Sequence, residues 1–142
     1  PLQTNKTRDA MALFDVIHTV DRPKLVRALA REAQALGRCP SLLIQVNTGE
    51  EEQKAGVLPA DTEALVALVR AEGLPLQGLM CIPPVEDAPS GHFAFLKRMS
   101  DDLGLPWVSM GMSGDYPAAV ELGATHIRVG SAIFGKRAPL NP

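Results

Sequence analysis

The chain has 142 residues, 46% of them hydrophobic and 21% charged, which suits one globular domain with a buried core. A net charge of −2 without any Lys/Arg cluster argues against a nucleic-acid partner, and no apolar run approaches the ~20 residues that span a bilayer. Cys39 and Cys81 lie far apart, with no CxxC and no histidine at ligand spacing, so they read as reduced thiols of a cytoplasmic protein and no metal site is expected.

In chain order, Pro1 to Lys6 reads as a polar loop. Thr7 to Leu13 has helical spacing, with Ala10, Met11, Leu13 and Phe14 available to a core face. The β-branched run Phe14 to Val20 is predicted to be a strand. Asp21 and Pro23 then carry helix-start signals, as N-cap and first-turn proline, for a helix that runs to Leu36 and stops at Gly37. Ser41 to Asn47 is apolar almost throughout, as in a strand covered on both faces. A charged loop, Thr48 to Gly56, leads to a helix over Pro59 to Glu72. Leu76 to Ile82 is a strand stopped by Pro83-Pro84, and Pro89 to Leu103 is helical, with Phe93, Phe95, Leu96 and Met99 as its buried set. Trp107 to Met112 is a strand, Asp115 to Leu122 a helix stopped by Gly123, and His126 to Val129 a final strand. Ile133 to Gly135 opens a short terminal helix.

This is strand, loop and helix five times over, which implies parallel strands joined by helical crossovers. Five units of about 28 residues leave two architectures open. One is a small open α/β sheet. The other is a (β/α)8 barrel of which roughly three units lie outside the chain. The pattern by itself favours the open sheet, which needs no missing piece.

The last two strands each run into small residues: Ser113-Gly114-Asp115 after the first, Gly130-Ser131-Ala132 after the second. Small residues after a strand are ordinarily turns. Two such tips side by side also present backbone N–H groups and hydroxyls to one point, which is how a phosphate is held. Arg128 sits mid-strand on the face of His126 and Gly130. A buried arginine must find a partner, either an internal carboxylate or a ligand group. Asn47 ends its strand, where α/β folds place ligand contacts, and could equally cap the following loop. His18, His92 and His126 are scattered, with no serine or cysteine placed to suggest a nucleophile. Lys6, Lys24, Lys54, Lys97 and Lys136 all fall on loops or polar helix faces. None ends an apolar strand, desolvated enough to act as an amine nucleophile near neutral pH.

Several runs resemble the pyridoxal phosphate homeostasis protein family. They are Ser109-Met110-Gly111-Met112-Ser113 with Asp115, Glu121-Leu122-Gly123-Ala124, and Arg128-Val129-Gly130-Ser131-Ala132-Ile133-Phe134-Gly135. Upstream, Leu2-Gln3 with Asn5-Lys6, Ile17-His18-Thr19-Val20-Asp21, and Gln45-Val46-Asn47 with Gly49-Glu50-Glu51, Lys54 and Gly56 extend the likeness over essentially the whole chain.

The resemblance implies a single-domain α/β fold, a (β/α)8 TIM barrel of the alanine racemase N-terminal type. Residues 1–142 would supply about five βα units, the C-terminal two-thirds. It implies pyridoxal 5′-phosphate (PLP) as cofactor. Ser113, Gly114, Gly130 and Ser131 would hold the phosphate, Arg128 would face the pyridine nitrogen, Met110 would pack near the ring and Asn47 would line the cavity. The family's cofactor lysine lies on the first strand, and the chain would begin after the third, so about 85 residues would precede it. A companion N-terminal segment is one account of that difference, and the complete protein would be a monomer or weak homodimer. The implied function is intracellular PLP homeostasis and amino-acid balance without established catalytic turnover. Two alternatives stand beside it: a racemase or decarboxylase on the same barrel, and a phosphate-binding barrel for another ligand. The former needs an acid/base group opposite the ring, and Tyr116, the one tyrosine, falls at a helix start.

Overall fold

The five aliphatic runs form five strands: β1 (Val16–Val20), β2 (Ser41–Val46), β3 (Leu76–Cys81), β4 (Trp107–Met112) and β5 (His126–Arg128). The structure is a computed structural model and describes residues 1–135. Every pairing is parallel, and the strands lie side by side in sequence order, β1-β2-β3-β4-β5. An open doubly wound sheet reverses its strand order at a switch point, and this sheet never does. It also curls. In a flat sheet β1 and β4 would lie about 14 Å apart, three strand spacings, yet His18 on β1 reaches Ser109 on β4 at 2.9 Å. The architecture is therefore a curved section of a barrel wall, which corrects the open-sheet reading that the repeat pattern favours.

Helices fill the crossovers: α2 (Pro23–Leu36), α3 (Thr62–Ala71), α4 (Pro89–Asp102) and α5 (Tyr116–Glu121), with α1 (Thr7–Leu13) before β1 and α6 (Ser131–Phe134) after β5. The apolar faces of α2 to α5 pack on the outer face of the sheet. Ile44, Val46, Leu79, Val108 and Met110 meet Leu25, Leu29, Val66, Val69, Phe93 and Leu96 there, all essentially buried. Side chains alternate along a strand, so the next residue in each case turns to the inner face. Gln45, Met80, Ser109 and His126 stand in register across β2 to β5 and form one inner row.

Three local expectations change. Asp21 does not cap α2: its carboxylate pairs with the Arg22 guanidinium at 2.5 Å, and Arg22 occupies the N-cap position. Pro59–Asp61 forms a 3-10 turn, so the helix itself begins at Thr62, whose hydroxyl donates to the Leu58 carbonyl. Leu13 and Phe14 are 75% and 55% exposed instead of buried. The seven-residue α1 ends beside the edge of β1, which has a neighbour on one side only among the described residues. Lys136 lies outside the described residues, and none of the described helices is long and apolar enough to cross a membrane.

Candidate functional site

Parallel strands bring the C-terminal tips of β4 and β5 to one end of the sheet. At the tip of β4, Gly111 has φ +93, and a Cβ there would come within 2.6 Å of the Ala119 Cβ and 3.0 Å of the Tyr116 Cα. Only glycine lets α5 fold back this closely. The turn that follows is closed by Asp115, whose carboxylate accepts the Met112 N–H at 2.6 Å. Ser113 is thereby held against the tip of β5, and its Oγ accepts the N–H groups of Gly130 at 3.1 Å and Ala132 at 3.2 Å. Two backbone donors from the second tip thus converge on one oxygen from the first.

These tips line a cleft of about 560 Å³ with Met112, Ser113, Gly114, Arg128, Gly130, Ser131 and Phe134 on its walls. A Cβ added at Gly114 or Gly130 would meet nothing within 4 Å, so side chains at those positions would project into open space at the cleft. A second cleft of about 410 Å³ shares Arg128, Met112 and Gly114 with the first, and extends to Ile82 and Pro83-Pro84.

Arg128 stands at the junction. Its Nη1 donates to Ser109 Oγ at 2.6 Å and its Nη2 to the Cys81 carbonyl at 2.9 Å. No carboxylate lies within ion-pair distance of it among the described residues. The internal salt bridge that a mid-strand arginine invites is absent there. Burial lowers the Arg128 pKa, with Cys81 and Asp115 pulling the other way, and an arginine so placed keeps its charge at neutral pH. Burial pushes the Cys81 thiol up to about 12, so it stays protonated.

Five of the seven residues expected at the site come together here: Ser113, Gly114, Arg128, Gly130 and Ser131. The other two do not. Met110 is fully buried in the core between sheet and helices, because strand alternation turns it away from the face of Ser109. The Asn47 amide is engaged by its own loop, donating to the Glu51 carbonyl at 2.8 Å and accepting the Glu51 N–H at 3.3 Å. The loop-capping contact is thus present, and Asn47 lines neither of the two clefts described above.

Two residues beside the site escape sequence reasoning. Ser109, wholly buried, binds Arg128 on one side and His18 Nδ1 at 2.9 Å on the other. His18 packs edge-to-face on His126, with ring centroids 5.8 Å apart, and burial, Arg128 and His126 all lower its pKa. The alternation that puts Ser109 on the face of Gly111 was the available signal for the serine. His18 falls in the Ile17 to Asp21 run of the family resemblance, but nothing in local spacing marks its partner, 91 residues away. No group of three or more His, Cys, Asp or Glu capable of holding a metal occurs among the described residues.

The singly wound parallel sheet, with a donor-lined cleft across its last two strand tips, defines a section of a (β/α) barrel wall of the alanine racemase N-terminal type. The chain belongs to the alanine racemase N-terminal domain family, whose model matches residues 2–138. A pyridoxal phosphate homeostasis protein from Deinococcus radiodurans is 43% identical over 136 residues, covering 94% of this chain and 64% of its own length. The structure of PipY from Synechococcus elongatus, solved with PLP bound, is 38% identical with a TM-score of 0.84, over 95% of this chain and 68% of its own. Alanine racemase from Clostridium difficile, complexed with cycloserine, shares the fold at a TM-score of 0.74 and 12% identity, over 99% of this chain and 41% of its own. The chain spans just under two thirds of the length of the curated relatives it matches, 62–64%.

Proposed function

We propose that the protein binds pyridoxal 5′-phosphate at the paired tips of β4 and β5 and serves intracellular PLP homeostasis and amino-acid balance rather than catalytic turnover. The observation that carries this is the convergence of the Gly130 and Ala132 N–H groups on one acceptor, beside an arginine that pairs with no carboxylate among the described residues. The donor set fits a phosphate, and the open space at Gly114 and Gly130 leaves room for one. The relatives' names and the PLP-bound PipY structure supply the identity of the ligand.

In this reading Ser113, Gly114, Gly130 and Ser131 hold the phosphate, and Arg128 faces the pyridine nitrogen. PLP, when bound, supplies an electron-withdrawing ring that stabilises negative charge on a neighbouring carbon. A permanent cation at the ring nitrogen disfavours its protonation and blunts that capacity. That suits holding a cofactor better than driving carbanion chemistry. The family resemblance and the relatives' greater length support assigning these residues as the C-terminal five units of an eight-unit barrel. The other units, and the lysine that would engage the cofactor's aldehyde, then come from sequence beyond these 142 residues. We place the protein in the cytoplasm, where Cys39 and Cys81 would stay reduced.

Titration of the full-length protein with PLP, followed by absorbance, tests the assignment. Arg128→Ala is expected to weaken binding about tenfold or more, the loss of charge-assisted hydrogen bonds. Ser131→Glu should weaken it further, by placing negative charge in the phosphate cleft. Unchanged binding in both variants would remove the site from these strand tips.

A further inference from the structure

The guanidinium of Arg128 is held by Ser109, a residue that lines neither cleft. Arginine has only donors, so at 2.6 Å from Arg128 Nη1 the Ser109 Oγ is the acceptor. The hydroxyl has a single proton of its own, and His18 Nδ1 stands 2.9 Å away. Ser109 is wholly buried. The arrangement that uses every group once is therefore directional: Arg128 donates to Ser109, and Ser109 donates to His18 Nδ1. That places the imidazole proton on Nε2 and requires His18 to be neutral.

We propose that His18 is a positioning residue for Arg128, accepting the Ser109 hydroxyl and thereby holding the guanidinium toward the ligand cleft. The inference rests on the reading of that cleft as the PLP site. His18 touches no part of the cleft itself and acts through Ser109 alone.

The arrangement is sensitive to acid. Protonated His18 has no lone pair at Nδ1. Its new N–H would then share the serine oxygen with that of Arg128, setting two cations on one neutral acceptor, while the hydroxyl proton would lose its acceptor. The charged and titratable groups that bear on His18 are Arg128 and His126, both on β5, and Ser109 between them does not titrate. Both β5 groups oppose a second positive charge. Burial, the largest cause, acts in the same direction, so the neutral form is favoured down to and below the ordinary histidine value of about 6.5.

The test is PLP affinity of the full-length protein from pH 5 to 8, measured for wild type and three substitutions, with thermal unfolding as the check on folding. His18→Leu removes the acceptor and should lower affinity about tenfold at pH 7.5, on the scale of one charge-assisted hydrogen bond. His18→Asn restores an acceptor that does not titrate. It should recover most of that loss and flatten the part of the acid decline that belongs to the protein. Titration of PLP's own phosphate, near pH 6, contributes equally in every variant and cancels in the comparison. Ser109→Ala should cost as much as His18→Leu, and the double substitution no more than either, because they break one chain.

Should His18→Leu not fold, the pH profile of His18→Asn decides alone. An acid decline unchanged in His18→Asn, or full affinity in a folded His18→Leu protein, overturns the proposal. Arg128→Ala separates the two levels. If it leaves affinity intact, the assignment of Arg128 to the PLP site fails. If it weakens affinity while folded His18→Leu does not, only the positioning role fails.

Discussion

Arg128 carries a permanent charge in a half-buried place where arginine ordinarily requires a carboxylate, and it makes do with a serine hydroxyl and a backbone carbonyl. Two neutral acceptors hold a cation in place without cancelling its charge, which leaves that charge available to a ligand. Met110 illustrates the opposite case. It stands beside the motif residues in sequence, yet its side chain is fully buried on the helix side of the sheet. Met110→Ala should therefore cost about 2–4 kcal/mol of stability, as a core truncation does, read by chemical denaturation. PLP affinity measured well below the unfolding midpoint should stay within about twofold of wild type, since the side chain does not reach the cleft. A large affinity loss at unchanged stability would return Met110 to the ring. His18 adds a stability consequence of its own. Its folded pKa is lowered, so the unfolded chain binds the proton more readily. Its contribution to stability is then full above about pH 6.5 and falls as the pH drops from there toward the lowered value. His18→Asn should lose less stability than wild type between pH 7 and 5.5 in denaturant titrations.

At the scale of elements, the tip of β4 depends on the close return of α5. Gly111→Ala would combine a disfavoured positive φ with overlap against Ala119 and the Tyr116 backbone. A loss of about 3 kcal/mol is expected from denaturant titration, because backbone cannot move aside as a flexible side chain can. PLP affinity should fall with it, since Ser113 hangs from the same turn. The strands and helices themselves were legible from the chain. β2, β3 and β4 are nearly continuous apolar runs, and α2 stops at Gly37, which adopts φ +65. The curl was not legible, because a βα repeat reads the same in an open sheet and in a barrel wall. Nor could local pattern reveal that His18 and Ser109 meet across the inner face of the sheet. Contacts between residues far apart in sequence leave no trace in local spacing. The alternation that turns Met110 away from Ser109 and Arg128 was, by contrast, present in the sequence and outweighed by motif resemblance.

For the molecule as a whole, the sheet has two edges among the described residues, β1 and β5, each paired on one side only. Apolar side chains stand exposed near both: Leu13 and Phe14 beside β1, Ile127 on β5 and Phe134 just beyond it. Unpaired parallel edges with apolar flanks are unusual in a finished α/β fold. Barrel closure by further strands would cover both at once, in agreement with the proposed eight-unit arrangement. In that arrangement the β4 and β5 tips provide the phosphate and ring-nitrogen side of the cofactor site. The most direct measurement is a crystal structure of the full-length protein grown with PLP. The account predicts a phosphate accepting the Gly130 and Ala132 N–H groups, with the Ser113 hydroxyl turned to share it and the Arg128 guanidinium at the ring nitrogen. A phosphate bound away from these two strand tips, or an Arg128 turned from the ring, would contradict it.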